Sequence, residues 1–283
     1  MTFNFHHLKV DYAGGDKWAL AEPDIVELRE VLREWQEGMQ DGGGWNALFW
    51  DNHDQPRAIT RFGGRGGVGE RGGSWDLVGK MLSTMSFLMK GTPYVFEGDE
   101  LGMTNAGYDS IEKYDDVESK NAYRMLLGRG STPDEALRVV GERSRDNGRT
   151  PMQWTAGPGA GFTTGEPWLG VPANHEQVNA EAEVGVEGSM FEWYRSLIAL
   201  RHTSDVVALG DVRFLDAGSA APKVIAFERT LGEKRLVVAC SFDDEPCELT
   251  DLGTDDMTVL LGNYADCPAE GVLRPYEAVA WSR

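Results

Sequence analysis

His53 and Asp54 stand side by side, with Asn52 before them and Arg57 close behind. An imidazole and a carboxylate delivered together suit an active site. Metal chelation would need further ligands. His6 and His7 are the other clustered histidines, and no spacing joins them to His53, so no metal is expected. Neither a Gly-x-Ser-x-Gly elbow nor a phosphate loop occurs, and no motif supports a cysteine nucleophile. By itself the triplet Asn52-His53-Asp54 also fits a solvated strand end with a capping aspartate.

The elements around the triplet favour a site. Trp45-Asn46-Ala47-Leu48-Phe49-Trp50 is apolar at nearly every position, as in a strand covered on both faces of a parallel sheet. Pro56 ends it. In α/β folds, chemistry sits just past the carboxyl ends of such strands. Before it, Ile25, Leu28, Leu32, Trp35 and Met39 recur at helical spacing, with Pro23 at the first turn and Asp41-Gly42-Gly43-Gly44 as the stop. After it comes a Gly/Arg-dense loop from Arg61 to Gly73. Ser74 then caps a helix carrying Leu77, Val78, Met81, Leu82, Met85 and Met89, closed by Gly91. Thr92-Pro93-Tyr94-Val95-Phe96 reads as a second buried strand, and the first residues as a short strand. Alternating helices and strands imply a parallel α/β sheet with right-handed crossovers.

From Gly102 to Gly188 the chain reads as loop-rich. Thr132-Pro133-Asp134-Glu135 is a capping box opening a short helix to about Arg143. Ser189 opens another, through Phe191, Tyr194, Leu197, Ile198 and Arg201. Beyond residue 204 short strands take over at 224–230, 235–242, 257–261 and 277–281, separated by turns such as Leu231-Gly232-Glu233-Lys234. They predict a small antiparallel β domain.

The 283 residues carry 46 acidic and 27 basic side chains, a net charge of -19, with no basic face for a nucleic acid. No apolar run is long enough to span a membrane, and the first residues do not form a signal peptide. Cys240, Cys247 and Cys267 are odd in number and match no metal spacing, so they read as reduced thiols of a cytoplasmic protein.

Four blocks occur in order: Phe49 through Arg57, Lys90 through Asn105, Ser144 through Trp154, and Gly161 through Trp168. Together they resemble the α-glucosidase branch of glycoside hydrolase family 13, over nearly the whole chain. Within that branch, Met1 through Tyr12, Gly14 through Trp18, and Leu273 through Val279 look most similar to the trehalose-6-phosphate hydrolases. Oligo-1,6-glucosidases and dextran glucosidases share much of the pattern.

The resemblance implies the C-terminal part of a (β/α)8 TIM barrel at residues 1–203, followed by a small antiparallel β-sandwich domain at 204–283. It implies retaining hydrolysis of an α-glucoside or phosphorylated disaccharide by two carboxyl groups about 5 Å apart. Asp54 would be the third carboxylate, which stabilises the transition state, and His53 its neighbour on the sugar hydroxyls. Arg145 would lie near the terminal glucose. Arg149 would hold the loop. Lys9 resembles a lysine on the leaving-group side, where it meets a hydroxyl or phosphate; a solvated surface amine is an equal reading. No cofactor is implied.

The family's nucleophile stands in a Gly-x-Arg-x-Asp block and its acid in a Gly-Glu block, both ahead of the Asn52-His53-Asp54 position. Neither occurs before Asn52 here. The expectation is a fragment inactive alone, with an unpaired sheet edge and a missing N-terminal half as its partner. A non-catalytic carbohydrate-binding protein is the alternative of another class.

Overall fold

The structure, a computed structural model, describes residues 1–63, 72–266 and 271–283. Cys267 and most of the Gly/Arg-dense loop, residues 64–71, lie outside the described residues. Three short strands, β1 (Thr2–Phe3), β2 (Asn46–Leu48) and β3 (Thr92–Pro93), form an open parallel sheet in that order. Helix α1 (Ile25–Asp41) connects β1 to β2; α2 (Ala58–Arg61) and α3 (Ser74–Leu88) lie between β2 and β3. The alternation read from the sequence is present, in three strands that do not close a barrel.

The β2 strand is shorter than the apolar run. Its ladder ends at Leu48, whose carbonyl accepts from Tyr94 N at 2.7 Å. At the next position the His7 ring takes the Phe49 carbonyl, with Nε2 2.8 Å away, and the chain turns. The two helix starts also differ from expectation. Asp24 caps α1 by accepting from Glu27 N, so Pro23 precedes the cap. Ser74 is the first residue of α3 and caps nothing. Asp76 reaches back instead to the Gly72 N–H at 2.9 Å.

Every residue from Trp75 to Leu88 is buried, because α3 is packed on more than one side. Its polar side chains are satisfied locally. Lys80 donates to Asp76 and to the Gly188 carbonyl, both at 2.7 Å, and Ser83 and Thr84 donate to carbonyls one turn back. Gly79 leaves room for Met190 at the start of a later helix, where a Cβ would collide.

The span read as loop-rich contains a full helix, α4 (Val117–Gly128), capped by Asp116. Helix α5 (Pro133–Arg143) has the expected capping box, with Thr132 and Glu135 each bonded to the other's backbone. The short α6 (Ala180–Glu183), then α7 (Met190–Thr203), capped by Ser189, and α8 (Asp205–Leu209) lead into the C-terminal strands.

Five of these make an antiparallel sheet: β4 (Asp211–Leu215), β5 (Val224–Leu231), β6 (Lys234–Ser241), β10 (Ala278–Ser282) and β8 (Thr258–Gly262), in that order. β7 (Cys247–Glu248) pairs with β9 (Val272–Leu273). Side chains alternate across the large sheet. Ile225, Phe227, Val238 and Cys240 face the helices and join one core with α1, α3 and α7. Val224, Ala226, Val237 and Ala239 face the other way, onto Cys247 and Leu273 of the small sheet. Cys240 and Cys247 are free thiols.

Two buried arginines tie this sheet to α3. Arg229 of β5 is fully buried and donates to the Leu88 carbonyl at 2.6 Å and to Gly210 O at 2.7 Å. Arg201 of α7 donates to Phe87 O at 2.8 Å. Both meet the last carbonyls of α3, where the helix dipole favours a cation. Burial pulls the Arg229 guanidinium down to about 9, and the Arg201 charge adds to the fall.

Candidate active site

β2 delivers the chain to Asp51, and a turn follows. The Asn52 side chain accepts from Asp54 N at 2.8 Å, and the Asn52 carbonyl accepts from Gln55 N. This Asx turn lifts His53 and Asp54 out of the core, and their side chains are 72% and 47% exposed. His53 Nε2 lies 3.3 Å from Asp54 Oδ2.

Beneath the turn lie the buried carboxyl of Asp51 and the partly exposed carboxyl of Asp99. Asp51 accepts from Ala58 N at 2.9 Å, and Arg57 lies 3.5 Å from Asp99. Burial raises Asp51, against the pull of Arg57. Burial and the neighbouring Asp51 charge push Asp99 well above the ordinary carboxylate range. Removal from water and the repulsion between two neighbouring acids are the physical causes.

The short 3-10 turn Arg145–Arg149 packs over the Asx turn. Gly148 lies where a Cβ would stand 2.9 Å from both the Asn52 and Gln55 carbonyls. That approach brings in two guanidiniums. Arg149 Nη2 donates to Asp54 Oδ1 at 2.8 Å and its Nε to His53 O at 2.7 Å. Arg145 Nη1 lies 3.5 Å from the same Asp54 oxygen.

Arg145 is itself held from behind. Its Nη2 bonds Asp116, the cap of α4, and its Nε lies 3.6 Å from Glu118. Glu118 also pairs with Lys17 at 2.8 Å. Burial alone would raise the Asp116 carboxyl; hydrogen bonds from Arg145 and Ser119 outweigh it and hold the group at about 2. Donating to Asp116 in turn raises Arg145.

His53, Asp54 and Arg145 thus converge on one spot. Lys9 is exposed at the end of the short turn His6–Leu8, and among the described residues nothing pairs with its side chain. Arg149 does hold the loop, and it also grips the Asp54 carboxylate. Asp116, Glu118 and Lys17 were not singled out from the sequence; an aspartate just ahead of a helix was the available signal for the first. Among the described residues no three His, Cys, Asp or Glu side chains group as a metal site would need.

The cluster is an anion held between two cations, beside an imidazole, at the carboxyl end of a parallel strand. Such a carboxylate accepts hydrogen bonds from neutral hydroxyls and favours positive charge developing above it.

The chain is similar to known proteins. The family described as "Alpha amylase, catalytic domain" matches residues 1–210. A trehalose-6-phosphate hydrolase of Escherichia coli (strain K12) is 43% identical over 99% of this chain and 50% of its own length. An oligo-1,6-glucosidase of Bacillus cereus is 37% identical over the same shares. Among solved structures, the trehalose-6-phosphate hydrolase of Bacillus licheniformis superimposes with a TM-score of 0.90 at 40% identity, covering 99% of this chain and 50% of that one. The chain spans about half the length of the relatives it matches.

Proposed function

The chain belongs to the alpha-amylase catalytic-domain family, and from that premise we propose that it carries the transition-state-stabilising side of a retaining α-glucosidase centre. The substrate we assign is an α-glucoside, most specifically trehalose 6-phosphate. The observation that carries the reading is Asp54 fixed between Arg145 and Arg149 at the end of β2.

In this reading Asp54 accepts hydrogen bonds from glucose hydroxyls, and its negative charge stabilises the oxocarbenium-like transition state. His53 contacts the same hydroxyls. Arg145, held by Asp116, fixes the far edge of the terminal glucose. Lys9 meets the leaving-group side, where a phosphate would be bound as a point charge. No residue here takes the roles of nucleophile or general acid, whose sequence blocks do not precede Asn52. The 283-residue chain therefore turns over no substrate by itself. It acts with polypeptide supplying those two carboxyls, in the cytoplasm, with residues 1–203 as the C-terminal part of the barrel and 204–283 as the β domain.

The second reading is an oligo-1,6-glucosidase, favoured by the identity to relatives of that name. One assay set separates the possibilities. The pure chain should hydrolyse neither trehalose 6-phosphate nor isomaltose. Mixed with the N-terminal half of a trehalose-6-phosphate hydrolase, it should hydrolyse the first much faster than the second, and Asp54→Asn should abolish this. Turnover by the pure chain overturns the assignment of roles. Isomaltose preference selects the second reading. Sugar binding without turnover in the mixture selects a non-catalytic protein.

A further inference from the structure

Three features that each lower stability meet at one cavity. It has a volume of about 460 Å³ and lies between α5, α2 and the segment from Thr104 to Tyr114. Tyr114 is fully buried at its edge, and the Tyr114 hydroxyl has no hydrogen-bond partner in the chain. The neighbouring Tyr108 N–H can only donate toward that oxygen, so the phenol's own proton lacks an acceptor. A buried group left in that state weakens the fold. Gly141 lines the same cavity from inside α5, where alanine would be the better helix former. A Cβ there would meet Tyr114 Oη at an ordinary 3.5 Å and nothing else beyond its own helix, so packing does not demand the glycine. The third feature is the cavity itself, which forgoes packing.

The walls are apolar and the rim is charged. Leu137 and Tyr108 line the cavity, and the Tyr108 ring is fixed edge-on to that of Tyr114, with centroids 5.1 Å apart and its own hydroxyl on Gly170 O. Asp134, Arg138 and Glu142 recur at four-residue spacing on α5, and all three line the cavity. That spacing favours ion pairs. Among the described residues, none of the three makes one within 4 Å. Two carboxylates against one guanidinium leave surplus negative charge, which disfavours an anion. Burial raises the Tyr114 phenol, and the nearby Glu142 charge adds to the rise. What fits is a flat, uncharged ring with an acceptor for Tyr114 and a donor for Glu142, its faces against Leu137 and Tyr108.

We propose that this cavity binds an amino-substituted heteroaromatic ring of nucleobase size. A ring nitrogen accepts the Tyr114 proton, and the exocyclic amine donates to the Glu142 carboxylate. His53, Asp54, Arg145 and Arg149 are not among the lining residues, so this is a second site, independent of the α-glucoside reading.

The test is titration of the 283-residue chain with adenosine, followed by ligand-observed NMR, together with thermal melts of each variant alone. The parent should bind adenosine saturably, and excess glucose should not displace it. Tyr114→Phe removes only the oxygen. It should weaken adenosine binding roughly three- to tenfold, the worth of one hydrogen bond, while melting no lower than the parent. Gly141→Ala should melt higher and bind about tenfold more weakly, because the methyl stands between the ring and the hydroxyl. Purine riboside lacks the amine and should bind roughly three- to tenfold more weakly than adenosine. Absence of saturable binding, displacement by glucose, or equal binding of purine riboside overturns the proposal. So does a Tyr114→Phe chain that melts lower and keeps parental affinity, since the hydroxyl would then serve the fold alone.

Discussion

Arg149 grips Asp54 at 2.8 Å while bonding the carbonyl of the residue before it at 2.7 Å, so one guanidinium fixes both the carboxylate and the turn that carries it. The pair is 95 positions apart in sequence and is brought together by Gly148, which has no side chain to hold the two backbones apart.

Gly148→Ala should cost about 1–3 kcal/mol of folding stability, because the new methyl meets two backbone carbonyls that cannot yield like a side chain. Arg149→Gln should behave differently. The pair is partly exposed, so stability should move by at most about 1 kcal/mol. Glucose affinity should fall about tenfold as Asp54 loses its fixed position. Urea melts and NMR titration check the two effects separately, and an Arg149→Gln chain with parental affinity would make the contact merely structural.

What the sequence disclosed follows from how local each signal is. The cap Thr132 and its partner Glu135 lie within one turn, and α5 begins there. The apolar stripe of Ile25, Leu28 and Leu32 places α1, because only one of its faces is buried. Helix α4 was not legible. It buries only Ser119, Ala122 and Leu126, too few apolar residues to mark a period. The Asx turn at Asn52 was visible as a polar cluster. Arg145 and Arg149 were named only through the resemblance, since they meet the turn by tertiary packing that no spacing encodes, and Asp116 behind Arg145 was not named at all.

His7 supplies a pH prediction. Burial lowers its imidazole to about 4, against the hydrogen bond to the Phe49 carbonyl. A histidine depressed in the fold is neutral there and charges more readily when unfolded. Its contribution is therefore complete above about pH 6.5 and is lost as pH falls toward 4. The parent should lose roughly 3 kcal/mol more than His7→Gln across that window. Urea midpoints of both chains at pH 7 and pH 4.5 measure the difference, and parallel curves would refute it.

The Asp51 and Asp99 pair has the opposite sign. Both carboxyls are raised in the fold, so the folded chain holds a proton that the unfolded chain releases. Stability should fall as pH rises through the folded values. Asp99→Asn keeps the shape without the charge, and its amide can donate to Asp51 Oδ1, which lacks a partner. This variant should lose less stability than the parent as pH rises above the ordinary carboxylate range. Thermal melts from about pH 4 to pH 9 decide it; a slope as steep as the parent's would mean that Asp99 does not hold the extra proton.

Arg229→Met tests the join between the β sheet and α3. The substitution leaves a shorter, unbranched apolar side chain and removes the donors to Leu88 O and Gly210 O. Two buried carbonyls would lose their partner, at about 1–3 kcal/mol each, and a buried charge would disappear, which offsets part of that cost. A net loss of about 2–4 kcal/mol is expected, read from urea unfolding at pH 7. Because one core spans helices and sheet, the two should still unfold in a single transition. Separate transitions in the variant would show that Arg229 is what couples them.

The last prediction concerns the open face at β1. Met1, Phe3, Phe5 and Tyr94 are each more than 40% exposed, and ring contacts join them through Phe49. Phe3 lies 4.8 Å from the Tyr94 ring and 5.5 Å from the Phe49 ring, Phe5 lies 5.2 Å from Phe49, and the Tyr94 hydroxyl reaches Met1 sulfur. In the described sheet β1 is an edge strand, paired only to β2. An apolar patch beside an unpaired edge promotes association. The 283-residue chain should bind a hydrophobic dye and self-associate with rising concentration. Phe3→Lys with Phe5→Lys should reduce both, since charges on an edge strand oppose pairing, without lowering the melting temperature of the core. Analytical ultracentrifugation of the two proteins provides the comparison. A parent chain that stays monomeric and dye-free would show that this face is content in water.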